Sequence, residues 1–308
     1  MIFAGKGPLN TESLEALKQH LEANRALVDE ELDRLLPPAE EYPPSLHKAM
    51  RYAVFAGGKR LRPTLCLEAG RLFGGDEKSL LRLGGALELI HTYSLIHDDL
   101  PALDNDDLRR GKPTTHKAFG EATAILAGDG LLTLAFEVIA APGPPPEAST
   151  VRVIRELAHS IGTCGGMVGG QVADLETDDH SCDASSLDYI HRAKTAALIR
   201  AAVRGGALYA QASESDLSQV STYGEKIGLA FQIVDDLLDV LGSEATLGKT
   251  VGKDGQQHKA TYPALHGIEK SQQIASQLVR EACEVLDSYG SRARTLQGIA
   301  QYVLVRKS

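Results

Sequence analysis

Two aspartate-rich segments contain the residues best suited to chemistry in this sequence. The first, DDLPALD, runs from Asp98 to Asp104, and the second, DDLLD, from Asp235 to Asp239; each ends an apolar stretch. Neighbouring carboxylates at the end of a buried run repel each other unless a cation neutralises them. Mg²⁺ takes oxygen ligands and is commonly held by one or two carboxylates together with substrate phosphates. Two such clusters facing each other therefore predict a diphosphate site.

The two segments differ in how a helix can place their carboxylates. In the second, the spacing i, i+3, i+7 puts Gln232, Asp235 and Asp239 on one helix face. In the first, Pro101 would end the helix just after the paired aspartates. The last aspartate of that segment can then join the first only through a bend.

Basic segments supply the positive charge that a diphosphate would need. The formal net charge of −9 argues against a general surface for nucleic acid or anionic membrane. An anionic substrate must therefore meet local clusters of Lys and Arg, which occur at 59–62 (KRLR), 109–112 (RRGK) and 249–253 (KTVGK). His91 lies seven residues before Asp98, on the same face of the expected helix.

Each of these groups also has an ordinary structural interpretation. A single aspartate string can be a solvated helix end, although two strings in apolar contexts weaken that interpretation. The cluster at 59–62, including Arg60, could cap the following helix at the surface. His91 could be a core histidine, and Arg109 and Arg110 could pair only with Asp106 and Asp107.

The remaining sequence predicts an all-α fold. Apolar residues recur at helical spacing from Leu14 to Leu35, and Pro37-Pro38 stops that run. Further helices are expected near 45–56, 64–73, 79–99, 116–140, 147–169, 185–211, 216–241, 258–289 and 293–305. No linker or repeat divides the chain, so we expect one antiparallel helical bundle over residues 1–308 around a deep central cavity.

The cysteines and the first residues predict a cytoplasmic protein. Four cysteines without metal-type spacing fit reduced thiols that mostly fill the core: Cys66, Cys164, Cys182 and Cys283. The N-terminal residues lack the features of a signal peptide. No segment is expected to be apolar over the length of a membrane span.

Six ordered motifs resemble the signature of the trans-isoprenyl diphosphate synthases, also called the polyprenyl synthetase family. They are GGKRLRP at 57–63, HTYSLIHDD at 91–99, DDLRRGKPT at 106–114, GGQVAD at 169–174, KT at 194–195 and FQIVDD at 231–236. The DDxxxxD spacing of the first aspartate motif is most similar to that of bacterial farnesyl diphosphate synthases. The resemblance implies helices around a deep cavity, usually in a homodimer.

The resemblance also implies a reaction that joins isopentenyl diphosphate to an allylic diphosphate with three Mg²⁺ ions. Loss of diphosphate leaves an allylic cation, so the enzyme must neutralise the leaving group, exclude water and hold the second substrate. The released diphosphate is thought to take the final proton in this family. The implied metal residues are Asp98 and Asp104 for two ions, Asp99 in support, Asp235 for the third, and Asp236 and Asp239 ordering its waters.

The same resemblance assigns the other polar residues to the two substrates. The implied site for isopentenyl diphosphate, which has no metal, consists of Lys59, Arg62, His91 and Arg110. The implied residues for the allylic diphosphate are Arg109, Lys194, Thr195, Gln232 and Lys249. Three of these are the implied catalytic residues, because negative dipoles of Thr195, Gln232 and the carbonyl of Lys194 could stabilise the cation.

Three other features are expected to support the site. Gln171 and Asp174 share a helix face and would orient Lys194 or metal-bound waters. The Gly- and Lys-rich segment 247–254 resembles a lid over water-sensitive chemistry. The C-terminal Arg306-Lys307 could fold over the isopentenyl site or simply be solvated.

Tyr93 and Ser94 are expected to set product length. They lie about one helical turn, 5.4 Å, before Asp98, and that rise is close to one prenyl unit. Tyr93 resembles the aromatic floor of synthases that stop at fifteen carbons, while small Ser94 leaves room for more than ten. We therefore expect farnesyl diphosphate as product. The alternative is that Tyr93 faces a neighbouring helix.

Three other functions are possible. A geranylgeranyl diphosphate synthase would share every catalytic residue and differ only in cavity depth. A class I terpene cyclase has little use for a second diphosphate site. A non-catalytic subunit of a heteromeric synthase predicts degraded aspartate or arginine motifs, whereas both clusters here are complete.

Overall fold

The computed structural model describes residues 11–143, 145–177, 183–241 and 261–306, which are almost entirely helical. The all-α prediction is confirmed. The α-helices are α1 (Thr11–Leu35), α2 (Pro44–Val54), α3 (Leu61–Leu72), α4 (Glu77–Asp98), α5 (Thr115–Phe119), α6 (Glu121–Ala140), α7 (Glu147–Ile161), α8 (Met167–Glu176), α9 (Ala184–Ile190), α10 (Ala197–Tyr209), α11 (Glu214–Leu241), α12 (Tyr262–His266), α13 (Ile268–Glu284) and α14 (Arg294–Val305). A π-helix (His191–Ala196) joins α9 to α10, and a 3₁₀-helix (Asp287–Ala293) precedes α14.

The central helix of the bundle is α4. It begins at the N-cap Asp76, whose carboxylate accepts a hydrogen bond from the backbone N–H of Ser79. Most of its residues are buried, and it packs against α1, α3, α6 and α10. A helix that is apolar on most of its faces belongs in the interior. Its last residue, Asp98, therefore lies where this buried helix reaches the candidate site.

The second aspartate segment is carried by α11, which packs against α10, the π-helix and α13. The buried Tyr223 of α11 donates a hydrogen bond to the carbonyl of Leu296 at 2.7 Å and so ties α14 to α11. The hydrophobic core is contiguous from Leu17 to Val303. This continuity is what one domain would have; the extent of the domain stays a prediction.

Four helices expected to be continuous are interrupted: 116–140, 147–169, 185–211 and, within the described residues, 258–289. In three of them the break contains a glycine with positive φ, a conformation that strains other residues: Gly120, Gly165 and Gly267. The fourth is interrupted by the π-helix. Hydrophobic periodicity did not reveal these breaks because both sides of each break remain apolar.

A β-hairpin that the sequence analysis missed follows the first aspartate segment. Its strands are β1 (Leu108–Arg109) and β2 (Lys112–Pro113). The two loop residues, Arg110 and Gly111, have φ of 53° and 75°. Positive φ at both positions is typical of a tight type I′ hairpin, so the Arg-Gly pair was the available signal.

By length and composition, α6 could cross a membrane, contrary to the expectation from the sequence. This criterion is weak, because core helices of soluble proteins also satisfy it. In the structure α6 packs against α2, α4 and α5. It also exposes Ile125 and Leu126, with 43% and 58% of their surface accessible.

Candidate active site

A cavity of about 490 Å³ lies where α4, α8, the π-helix and α11 meet. Its volume is typical of small-molecule sites in proteins. Lys249 and the predicted lid at 247–254 lie outside the described residues, as does Cys182. Most predicted site residues line the cavity: Arg62, His91, Tyr93, Ser94, Asp98, Arg109, Arg110, Gln171, Lys194, Thr195, Gln232 and Asp235.

The first aspartate segment bends as Pro101 predicts. Helix α4 ends at Asp98, and the backbone N–H of Asp104 donates to the carbonyl of Asp98 at 2.9 Å. Burial and the carboxylates of Asp104 and Asp99 raise the pKa of Asp98 to about 6, although Lys194 opposes the shift. A bound cation would relieve this repulsion.

Asp99 faces protein donors instead of the cavity. It is 3% exposed, and its two oxygens accept hydrogen bonds from Nε of Arg109 at 2.7 and 2.9 Å. Nη2 of Arg109 lies 2.6 Å from Oδ1 of Asp99 and 3.8 Å from Oδ2 of Asp106. The interpretation in which Arg109 pairs only with Asp106 is therefore wrong. Asp99 holds Arg109 at the cavity wall.

The second aspartate segment stays on the regular helix α11. Gln232 and Asp235 line the cavity, as the spacing predicts. Asp236 is 5% exposed, and it accepts hydrogen bonds from Nε2 of Gln232 and from the backbone N–H of Tyr262, each at 3.0 Å. Asp239, one turn later, is partly buried. Of the two paired aspartates, only the first lines the cavity.

The π-helix places Lys194 and Thr195 side by side on the cavity wall. Short π-helical segments are rare and often occur at functional sites. This one packs between two glycines. A Cβ on Gly170 of α8 would lie 2.4 Å from the nitrogen of Lys194, and one on Gly228 of α11 would lie 2.7 Å from Cα of Ala196. The glycines therefore permit the close approach of α8 and α11.

Both of these polar side chains are held by neighbours. Nζ of Lys194 lies 2.7 Å from Oδ2 of Asp174, a contact that agrees with the orienting role expected of Asp174. The hydroxyl of Thr195 donates to Oε1 of Gln232 at 2.9 Å. Both amide atoms of Gln171 are buried without a hydrogen-bond partner in the described part of the chain. A polar ligand could satisfy them.

Three of the four residues expected to bind isopentenyl diphosphate also line this cavity. Nε of Arg62 is buried, with no hydrogen-bond partner among the described residues. Burial and the charges of Arg62 and Arg110 lower the pKa of His91 well below its usual range. Arg110 donates to the carbonyl of Gly57, and a Cβ on Gly58 would lie 2.7 Å from its Nη1. Gly57 thus accepts a hydrogen bond from Arg110, and Gly58 leaves room for its guanidinium.

The fourth residue, Lys59, lines an adjoining cavity of about 230 Å³ together with Arg306. Although Lys59 reaches solvent, partial burial and the charge of Arg306 lower the pKa of its amine to about 8. Arg306 lies 3.9 Å over the ring of Phe231 and 2.8 Å from Oδ1 of Asp235. The C-terminal arginine is therefore folded against the site; Lys307 lies outside the described residues.

Arg60 is a buried structural residue, so the surface interpretation of this arginine is wrong. Its guanidinium lies 2.7 Å from Oδ1 of Asp29, 2.8 Å from Oε1 of Glu88 and 2.8 Å from the carbonyl of Val54. These bonds fix the loop that carries the neighbouring cations. Neither acidic partner was predicted from the sequence, although Glu88 inside the apolar run LELI was an available signal.

Tyr93 lines the cavity and is 8% exposed. Its ring makes an edge contact with His97 at a centroid distance of 5.5 Å. Nε2 of His97 lies 3.1 Å from the carbonyl of Ile125. The imidazole fills space next to Gly128, where a Cβ would lie 2.2 Å from Nε2. Two packed rings therefore lie beside the cavity on α4.

Comparisons with known proteins agree with this arrangement. A family model described as polyprenyl synthetase matches residues 43–294. A dimethylallyltranstransferase of Fischerella ambigua is 46% identical over 96% of this chain and 85% of the relative. A geranylgeranyl diphosphate synthase of Cyanophora paradoxa is 45% identical over 95% and 97%. The apo crystal structure of an FPP/GFPP synthase from Zymomonas mobilis matches with a TM-score of 0.84 and 38% identity, covering 94% of this chain and 99% of that one.

The fold and the site together define an all-helical prenyltransferase of the head-to-tail type. The chain belongs to the polyprenyl synthetase family, as the sequence motifs predicted.

The donors in the cavity fit the magnesium that the family implies. Asp98 and Asp235 both offer carboxylate oxygens to the cavity, and these are the ligands that Mg²⁺ prefers. Within the described ranges, no three acidic, histidine or cysteine side chains are grouped to hold an ion by themselves.

Proposed function

We propose that this chain is a Mg²⁺-dependent farnesyl diphosphate synthase, which joins isopentenyl diphosphate to dimethylallyl or geranyl diphosphate. The observation that carries the proposal is a single cavity lined by Asp98, Asp235 and several basic side chains. Tyr93, on the helix that ends at Asp98, lines the same cavity. Asp98, Asp104 and Asp235 would hold Mg²⁺, which would neutralise the departing diphosphate.

Separate groups of cavity residues would bind the two substrates. Arg109 and Lys194 would bind the allylic diphosphate, while Arg62, His91 and Arg110 would bind isopentenyl diphosphate. Since its low pKa keeps His91 neutral near pH 7, it can donate or accept one hydrogen bond without adding charge.

Other groups would act on the cation that forms after ionisation. Thr195 and Gln232 present oxygen atoms at the cavity wall, where negative dipoles would stabilise an allylic cation. Apolar side chains of α8 at Val168, Val172 and Leu175 line the same cavity and are partly exposed, so they would exclude water once a bound prenyl chain covers them.

Product length separates this proposal from its main alternative. The Tyr93 ring packs against His97. This packing favours a product limited to fifteen carbons. Several relatives, including the protein of Cyanophora paradoxa, bear the name geranylgeranyl diphosphate synthase, which favours twenty carbons. Tyr93 is the residue on which the two products would depend.

The test is incubation with Mg²⁺, isopentenyl diphosphate and dimethylallyl or geranyl diphosphate, followed by product chromatography. We expect a C15 product from the wild type and C20 or longer products from Tyr93→Ala. Tyr42→Ala, at a residue that is 86% exposed, is the matched control and should leave product length unchanged. No condensation would refute the synthase. A C20 product from the wild type, or the same product distribution from Tyr93→Ala, would refute the role of Tyr93.

We further propose a cytoplasmic homodimer with no nucleic-acid partner and no stable membrane insertion. The exposed Ile125 and Leu126 of α6 would suit burial against a second subunit. Light scattering of the purified protein would report its mass in solution, and a monomeric mass would contradict the dimer.

A further inference from the structure

A chain of hydrogen bonds connects three elements at the wall of the cavity. The backbone N–H of Tyr262, the first residue of α12, donates to Oδ2 of Asp236 at 3.0 Å. Nε2 of Gln232 donates to Oδ1 of the same carboxylate at 3.0 Å. Oε1 of Gln232 in turn accepts the hydroxyl proton of Thr195 at 2.9 Å. Both oxygens of Asp236 are therefore engaged by protein donors.

We infer that Asp236 is a positioning residue that fixes the orientation of the Gln232 amide and, through it, the hydroxyl of Thr195. This inference rests on the proposed function, in which the oxygens of Gln232 and Thr195 face a developing cation. It departs from the expectation that Asp236 belongs to the metal site.

The donor and acceptor capacity of each group sets the orientation of the Gln232 amide. An ionised carboxylate only accepts hydrogen bonds, so Gln232 must turn its NH₂ group toward Asp236 and its oxygen toward Thr195. The hydroxyl of Thr195 has one proton, and it donates that proton to Gln232. The remaining lone pairs of Thr195 are then free to face the cavity. Reversing the amide would turn NH₂ protons toward the cation.

Helix geometry explains why Asp236 and Asp235 differ. Adjacent residues on an α-helix point about 100° apart, so two paired aspartates can have different surroundings. Asp235 lines the cavity, whereas Asp236 is 5% exposed and lies four residues after Gln232, at the spacing for side-chain contact along one helix face. Binding an ion would require Asp236 to give up the bond from Gln232 or the bond from Tyr262.

Because Asp236 is buried, the loss of one of its hydrogen bonds would be costly. A buried backbone N–H without an acceptor is costly, so the bond from Tyr262 anchors the carboxylate. Low local polarity also strengthens the bonds of the network. The bond from α12 therefore fixes the position of the Asp236 carboxylate. The carboxylate in turn requires Gln232 to turn its NH₂ group toward it.

The test is Asp236→Asn, which keeps the shape of the side chain but replaces one acceptor with a donor. The Asn oxygen would remain with Tyr262, so its NH₂ group would face Gln232 and favour a reversed amide there. We expect kcat to fall on the order of tenfold to a hundredfold, as for other groups that orient a site. The Michaelis constants and the Mg²⁺ concentration for half activity should stay within a few-fold of the wild type.

A double-variant comparison tests whether the effect passes through Gln232. In a Gln232→Met background there is no amide to orient, so adding Asp236→Asn should lower kcat by no more than a few-fold. Full additivity of the two losses would overturn the inference. Thermal unfolding of each variant separates a loss of folding from a loss of positioning.

A binding measurement decides the same question without turnover. Calorimetric titration of Mg²⁺ and inorganic diphosphate into Asp236→Asn should match the wild type, whereas Asp235→Asn should bind more weakly. Equal weakening in both variants would assign Asp236 to the metal site and overturn the inference. A wild type that binds but forms no condensation product would instead refute the proposed function, and the binding comparison would still decide the role of Asp236.

Discussion

The two aspartate segments reach the same cavity by different routes. The first leaves α4 at Asp98 and turns back through backbone hydrogen bonds, so that its last carboxylate belongs to a loop. The second remains on α11, where Gln232 and Asp235 share one face. The first is therefore built by a turn and the second by helical periodicity.

Despite this difference, the two aspartates of each pair are arranged in the same way. In each pair the first aspartate, Asp98 or Asp235, lines the cavity. The second, Asp99 or Asp236, is buried against donors from the protein. In both segments the pair is thus one candidate ligand followed by one anchor, an arrangement that the angle of about 100° between consecutive helical residues permits.

The largest expected effect tests the cavity-facing member of the first pair. Asp98→Ala should lower kcat on the order of a thousandfold, because it removes an interaction aimed at the leaving group. Steady-state kinetics at saturating substrate and Mg²⁺ would measure the loss. Asp107→Ala is a matched control: the Asp107 side chain is 74% exposed and pairs with Lys117 on the outer side of the hairpin. Similar losses in both variants would contradict the division within the pair.

A second effect follows from the raised pKa of Asp98. Since its folded-state pKa of about 6 lies above the usual value of 3.8, the folded protein holds this proton more tightly than the unfolded chain. In metal-free protein, this group should therefore lower the free energy of unfolding as pH rises from about 4 to about 6. The loss should reach at most about 3 kcal/mol, since each pKa unit corresponds to about 1.4 kcal/mol.

Urea unfolding in the presence of a chelator would measure this effect. Asp98→Asn cannot ionise, so the difference between wild type and variant isolates Asp98 from the other carboxylates. We expect the variant to gain stability relative to the wild type across that pH range. A difference that does not change with pH would show that burial and the neighbouring carboxylates do not raise the pKa of Asp98.

The sequence predicted which residues line this site better than it predicted the contacts that hold them in place. The bend at Pro101 and the shared face of Gln232 and Asp235 follow from local stereochemistry, and both are found. The π-helix depends on Gly170 and Gly228 approaching it from other helices, so no periodicity within its own segment could reveal it. The anchoring role of Asp236 likewise depends on a partner in α12, distant in sequence.

The same reason explains the errors among the basic residues. Arg60 looks like a surface cation in the run KRLR, yet its partners come from α1, α2 and α4. Long-range ion pairs of this kind leave only a weak local signal, such as the acidic Glu88 inside an apolar run.

The smallest expected effect tests the anchoring member of the first pair. Asp99→Asn keeps one acceptor for Arg109 but removes the charge that holds it, so the guanidinium should lose its fixed position at the cavity wall. We expect the Michaelis constant for the allylic diphosphate to rise roughly tenfold, within the tenfold to hundredfold range for groups that orient a site. The kcat should change much less than in Asp98→Ala. In an Arg109→Gln background the same substitution should add little, since its target is already gone. If Asp99→Asn instead lowers kcat as strongly as Asp98→Ala and raises the Mg²⁺ requirement, both members of the pair act on the ions and the division between ligand and anchor fails.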